Sequence, residues 1–249
     1  MNKSEPDGIE RYFAAVTALQ SSVIEGQLDL LRQVAEAMAL TIMREGRLFV
    51  FGTGHSHLLA EEGHFRAGGL APVVPIFLSG LMLHEGALLS GRLERLPGLA
   101  EPLLARYNPR AGEMLFVFSN SGVNTVPVEM ALAAKAHGLI VVSVCSLVYT
   151  RVAPLSPVGK RLFDIADFTI DNGGEPGDSL IPLEGTGWRV GPSSTVIGAM
   201  IWNCLVTEAA FRLQARSAEV PVYVSANMPG ASAHNAALLE RWRFLNPHI

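Results

Sequence analysis

Five short apolar runs, Leu48–Phe51, Val73–Ile76, Met114–Phe118, Leu139–Val144 and Ile165–Ile170, recur along the chain at strand length. Helix-spaced segments lie between most of them: His57–Ala67, Leu99–Tyr107 and Val126–His137. Strands separated by helices cannot pair as tight hairpins, so they predict βαβ units and a mostly parallel sheet of five strands. Such a sheet is buried on both faces and needs a large apolar supply. The 249 residues are 49% hydrophobic and 17% charged, enough for one sizeable core. Ahead of the first run, Ile9–Arg44 carries Phe13, Val16, Val23, Leu30, Val34 and Met38 at helical spacing and is expected to break near Gly26. The organisation expected is a single domain over 1–249, with N-terminal helices (9–44), a core (45–217) and a C-terminal extension (218–249).

Charge and cysteine usage narrow the function classes. A net charge of −4 with no Lys/Arg-rich run argues against nucleic acid as a partner. Cys145 and Cys204 lie in apolar segments without metal or redox spacing and read as buried free thiols of a reducing compartment. Glu5, Asp7 and Glu10 at the start, with no apolar h-region, do not read as a signal peptide. Val190–Thr207 is free of charge but holds Pro192, Ser193, Ser194, Thr195 and Asn203, so it is expected to be a buried helix, not a membrane span. A cytoplasmic location is the resulting expectation.

In parallel sheets ligands bind beyond the carboxyl ends of the strands, so the segment after each strand matters most. The first strand runs into Gly52-Thr53-Gly54-His55-Ser56, where glycines permit a tight turn and Ser56 is placed to cap the next helix. The third runs into Ser119-Asn120-Ser121-Gly122-Val123-Asn124. A third hydroxyl-rich helix start, Gly191-Pro192-Ser193-Ser194-Thr195, closes a glycine- and proline-rich segment, Asp171–Val190, expected to be a long loop. Hydroxyls, backbone amides and helix N-termini bind phosphate without a permanent cation. The turn is neither a Walker loop, which needs Gly-Lys-Ser/Thr, nor a dinucleotide fingerprint, which needs a third glycine.

The pairing of Gly-Thr-Gly-His-Ser with Phe-Ser-Asn-Ser-Gly-Val-Asn resembles the sugar isomerase (SIS) domain over residues 30 to 215. Gly-Pro-Ser-Ser-Thr-Val-Ile-Gly-Ala-Met (191–200) is similar to the branch holding phosphoheptose isomerase and N-acetylmuramic acid 6-phosphate etherase. Gly-His-Ser-His (54–57) and Phe-Arg-Ala-Gly-Gly (65–69) resemble SIS proteins to which dehydration of N-acetylglucosamine 6-phosphate is ascribed. The resemblance implies a flavodoxin-like three-layer αβα sandwich and homodimers or homotetramers with sites at subunit interfaces. It implies that Ser56, Ser119, Ser121 and Asn124 hold a phosphate, with Gly54, His55, Asn120, Ser193, Ser194 and Thr195 around them. Asn124 stands where relatives often carry Ser or Thr.

Proton transfer needs a carboxylate or imidazole. At helical spacing Glu62 falls between Leu58 and Leu59 on the apolar arc with Phe65, an environment that raises a carboxyl pKa and suits a base. Arg66, four residues on, offers a plain ion pair instead. In the resembled enzymes a catalytic glutamate stands near the position of Arg66, so Glu62 is expected to take over that role, with Arg66 orienting it or touching substrate. His84 and Glu85 come after the second strand and are acid/base candidates, as is His234, since late histidines of several SIS enzymes reach a neighbouring subunit's site. Glu184 in the glycine-rich segment is a weaker candidate. His57, Glu61 and His64 share an arc that can hold Zn²⁺, although polar residues lining a cleft or interface are the better account of them and no metal is required.

The leading expectation is therefore a cofactor-free phosphosugar enzyme that removes the C2 proton of an N-acetylhexosamine 6-phosphate and expels a C3 substituent. Aldose–ketose isomerisation shares the first step and is one alternative. A phosphosugar sensor without chemistry is the other, weakened by the lack of room for a DNA-binding module before residue 45.

Overall fold

The computed structural model describes residues 7–249; Glu5, one of the acidic residues read at the start, lies outside them. Helix α1 (Gly8–Met43) is opened by an Asp7/Glu10 capping box and kinked at Gln27, which leaves helical geometry (φ −133°, ψ 16°) one residue past Gly26. The kink lets the Gln27 amide pair with the end of an edge strand, donating to Asp171 O (2.7 Å) and accepting from Asp171 N (2.8 Å).

Strand β1 (Leu48–Gly52) and helix α2 (Leu58–Gly63) are followed by β2 (Val73–Pro75), α3 (Ala87–Leu93) and α4 (Ala100–Ala105). Then come β3 (Met114–Phe118), α5 (Thr125–Ala136), β4 (Ile140–Cys145), α6 (Leu147–Val152) and β5 (Phe168–Asp171). The five strands form one sheet in the order β2-β1-β3-β4-β5, and each pairing is parallel. This is the α/β three-layer sandwich expected from the sequence. Successive side chains alternate between faces. Leu48, Val50, Phe116 and Val142 pack with α1 and the long helix α7 (Ser194–Ala215), while Phe49, Phe51, Leu115 and Val141 pack with α4 and α5. A buried ion pair fastens the amino ends of β1 and β3: Arg47 donates to both Glu113 oxygens (2.7 and 2.8 Å).

Four expectations are corrected. Asp171–Val190 is not a plain loop: β6 (Ser179–Pro182) and β7 (Arg189–Pro192) form an antiparallel hairpin. Its strands are short and carry proline and glycine, so no alternation announces them. The helix expected over His57–Ala67 ends at Gly63. Trp202 of α7 lies so close that a side chain at Gly63 would crowd it, and His64 turns extended. Cys204 is exposed on α7, while Cys145 is buried with its thiol pushed up to about 11 by burial. Among the described residues α7 is the helix long and apolar enough to cross a membrane. It begins at Ser194, since Val190–Pro192 belong to β7, and it buries Ile197, Ile201, Trp202, Leu205 and Leu213 in the core. A last helix, α8 (Ala231–Trp242), comes after the Asn227–Gly230 turn without a side-chain cap.

Candidate active site

The sequence order β1 to β2 on one side and β3 onward on the other makes β1 and β3 neighbours at the point where the order reverses. Their carboxyl ends open a cleft there, with a volume of about 290 Å³. Thr53, Gly54, His55 and Ser56 wall one side; Ser119, Asn120, Ser121 and Asn124 wall the other.

Gly52 makes the first wall possible. A Cβ there would lie inside the contact envelope of the Ser56 carbonyl, so only glycine lets the chain fold back directly after β1. The residues after it form a 3-10 turn, Gly54–His57. The sequence expectation that Ser56 caps the helix is not met: the turn's N-cap is Thr53, without a side-chain cap bond. Thr53 instead donates from Oγ1 to Glu94 Oε2 at 2.8 Å. In the second wall Asn124 is the N-cap of α5, yet its side chain makes no cap bond either, which leaves its amide facing the cleft. Asn120 accepts from Asn172 Nδ2 (2.8 Å), while its own Nδ2 is buried with no partner among the described residues. A buried donor without an acceptor is unfavourable unless something fills its place.

Two carboxylates complete the lining, and sequence reasoning missed both. Glu94 ends α3, and its side chain is 15% exposed, held between Thr53 and Arg95. Among the described residues no lysine or arginine lines the cleft. Asp178 reaches in from the start of β6 in left-handed geometry (φ 59°), a conformation that Asp tolerates better than most residues. Tyr149 of α6 fills a corner. Nothing local marked Glu94: it stands at the end of an ordinary short helix, and only the crossover from β2 to β3 brings it over the β1 turn. The hairpin was the signal for Asp178, and its segment reads as loop in the sequence.

The other expected residues distribute differently. Ser194 lines the cleft, Ser193 is fully buried at the start of α7, and Thr195 is not part of the lining. Glu62 faces α7 instead of the cleft, ion-paired with Arg66 and accepting from Asn203 Nδ2 at 2.9 Å. The plain i, i+4 ion pair that the sequence offered is thus formed, on the face of α2 that meets α7. Arg66 lines a separate cavity with Phe65 and Tyr223. His84 and Glu85 are exposed in the turn before α3, Glu184 is exposed in the hairpin turn, and His234 on α8 is bonded to Val222 O (2.7 Å).

Among the described residues no three His, Cys, Asp or Glu form a metal-ligating group. His57 Nδ1 and Glu61 are 3.7 Å apart, whereas His64 leaves the helix and packs toward His248. Burial holds His57 and His64 below the ordinary histidine range; for His57, Glu61 opposes the shift and His84 adds to it.

A parallel αβα sandwich whose switch-point cleft is walled by glycine- and serine-rich turns defines a class of domains built to receive a small anionic ligand. The chain belongs to the SIS-domain family: the model for that domain matches residues 11–146. UPF0309 proteins of Brucella canis and Brucella anthropi are each 39% identical to it over 240 residues, covering 96% of this chain and 98% of the relative. The fold is also similar to a phosphoheptose isomerase from Francisella tularensis (TM-score 0.55, 17% identity, 83% of this chain and 98% of that one). A second, from Neisseria gonorrhoeae, has TM-score 0.51 and 17% identity, covering 80% of this chain and 97% of the other.

Proposed function

We propose that the protein is a phosphosugar aldose–ketose isomerase, in which the turns after β1 and β3 hold the phosphate and Glu94 moves the proton. The observation that carries this reading is one cleft with hydroxyl and amide donors on two walls and a carboxylate held beside them. Ser56, Ser119, Ser121 and Asn124 donate to phosphate oxygens, and the start of α5 adds its dipole. Thr53 and Arg95 hold the two oxygens of Glu94, fixing the direction of the basic lone pair. Glu94 removes the C2 proton of the open-chain sugar, leaving an enediolate, and returns it to C1 while the hydroxyl proton passes from O2 to O1. The phosphoheptose isomerases that share the fold support this outcome over the elimination expected from the sequence.

Elimination begins with the same proton abstraction, so products decide between them. The test is incubation with a panel of hexose, heptose and N-acetylhexosamine phosphates in D₂O, followed by NMR and mass spectrometry. Aldose–ketose exchange with deuterium at C1 or C2 is expected. Loss of water, or of lactate from N-acetylmuramic acid 6-phosphate, would replace isomerisation with elimination. Binding without turnover would leave a sensor. Glu94→Gln should cost about 10²–10⁴ in kcat, the usual worth of a positioned acid/base, with phosphate affinity retained. If Glu62→Gln shows that loss instead, the proton belongs to Glu62.

The same reading includes a homo-oligomer. Leu58 on α2, Phe65 just after it, and Val196 and Phe211 on α7 are exposed apolar side chains that suit a second copy. His84 and Glu85 are exposed outside their own chain's cleft, and we place them, with His234 once it leaves Val222 O, as residues that would serve a neighbour's cleft.

A further inference from the structure

A second cavity, of about 360 Å³, opens at the amino ends of β1 and β3, the far end of the sheet from the cleft. Its lining inverts the chemistry of the cleft: Arg47, Arg106 and Arg110 line it, and no described carboxylate does. Arg47 is structural, 3% exposed, with each guanidinium N–H given to Glu113 or to the carbonyls of Tyr107, Asn108 and Leu245. The other two are not used up. Arg110 donates from Nε and Nη2 to Glu113 and the Glu45 carbonyl, and its Nη1 has no partner among the described residues. Arg106 is exposed and pairs with no described carboxylate; its guanidinium carbon lies 5.9 Å from the Tyr107 ring centre. Three guanidinium charges against the one carboxylate of Glu113 leave a local surplus of two, since Glu45 gives its own carboxylate to Arg241.

The other wall is apolar and held in place. Phe244, Leu245 and Pro247 line it. Their segment is anchored by Arg47 on Leu245 O (3.2 Å), by the buried Asn246 on Val73 O (3.3 Å) and by His248 on the Tyr107 hydroxyl (2.9 Å). Beside these anchors Phe244 is 82% exposed, with the Arg243 guanidinium 4.7 Å over its ring. Asn108, also in the lining, is left-handed (φ 45°), and its side-chain amide has no partner among the described residues.

We propose that this cavity is a purine-nucleotide site, in which Arg106 and Arg110 take the phosphate and Phe244 stacks the base. The charge surplus selects the ligand. A phosphate monoester carries about −1.5 to −2 at pH 7 and neutralises both free guanidiniums, whereas a single carboxylate leaves half the surplus standing. Guanidinium donors also fork onto phosphate oxygens in a way that an ammonium cannot. An exposed phenyl ring next to those cations supplies the platform on which a base stacks. The Asn108 amide offers the donor and acceptor that the edge of adenine complements. The volume is that of an ordinary small-ligand site, about 300–1,000 Å³. This site shares no lining residue with the cleft and does not rest on the phosphosugar reading.

The test is calorimetry with AMP and with adenosine on the wild type, Phe244→Ala, Arg106→Gln and the cleft variant Ser121→Ala, alongside thermal unfolding. Phe244 and Arg106 are exposed, so their variants should melt as the wild type does. AMP should bind the wild type at least about tenfold more tightly than adenosine, which lacks the phosphate. Phe244→Ala and Arg106→Gln should each weaken AMP about tenfold, the usual worth of a stacked base or a charge-assisted hydrogen bond. Ser121→Ala should leave AMP affinity unchanged. No AMP binding by the wild type, or equal affinity for adenosine, overturns the proposal. So does an AMP affinity that either Phe244→Ala or Arg106→Gln leaves unmoved, and a loss in Ser121→Ala would move the nucleotide to the cleft and overturn it as well.

Discussion

The ion pair between Arg47 and Glu113 offers the sharpest test of the physical reasoning. Both side chains are about 4% exposed or less and lie at the amino ends of β1 and β3, the opposite end of the sheet from the cleft. Glu113 accepts from Arg47 N (3.1 Å), Nε (2.7 Å) and Nη2 (2.8 Å), and from Arg110 N (2.7 Å) and Nη2 (3.0 Å). Arg47 directs its remaining donors to the carbonyls of Tyr107, Asn108 and Leu245. Burial alone would raise the Glu113 pKa, but the hydrogen bonds from Arg47 and Arg110 and the Arg47 charge hold it below the usual carboxylate range. Glu113→Ala strands a buried guanidinium, a loss worth about 3–5 kcal/mol, against a total stability of about 5–15 kcal/mol. For a domain of this size about 2–4 °C is lost per kcal/mol, so Tm should fall by about 6–20 °C. Arg47→Met combined with Glu113→Ala removes both charges and should be less destabilised than the sum of the single variants. Urea and thermal unfolding of the four proteins measure the cycle. Strict additivity, or a single-variant loss below about 1 kcal/mol, would show that the pair behaves like a solvated surface contact and refute the reasoning. Phosphate affinity should be unaffected throughout, because the cleft lies at the other end of the strands.

Stability should also fall on mild acidification. Burial holds His57, His64 and His248 below their ordinary value of 6.5, with His64 and Arg106 adding to the effect at His248. The unfolded chain therefore takes up protons first, and the contribution is complete above about 6.5 and lost as pH falls below it. Tm measured from pH 7.5 to 5 should decline, and more shallowly in His248→Phe; a flat wild-type profile contradicts this. Glu113 extends the same trend, its contribution being lost only below the ordinary carboxylate range. Gly52→Ala forces a methyl against the Ser56 carbonyl and should cost more than about 2 kcal/mol together with phosphate binding. A variant with wild-type melting and binding would mean that the turn is free to adapt.

The sheet was legible because its evidence is local. Leu48–Phe51 and Met114–Phe118 are apolar at every position, a pattern only a strand covered on both faces demands, and the helices between them leave parallel pairing as the consistent solution. The two serine- and asparagine-bearing turns were legible for the same reason: they sit where the strands stop, and parallel strands all point their carboxyl ends to one edge. Tertiary packing decided the rest. Trp202 packs so tightly on Gly63 that only glycine fits there, Glu62 meets Asn203 of α7, and the extended His64 falls out of line with His57 and Glu61. The β2-to-β3 crossover, not any motif, carried Glu94 over the Thr53 turn. The pairing of Ser179 with Pro192 set Asp178 on the head of α7. Sequence by itself determined which edge of the sheet carries the cleft, because strand direction is dictated by the alternation of elements. Only the folded chain decided which carboxylates reach that edge, because their positions depend on contacts between residues far apart in sequence.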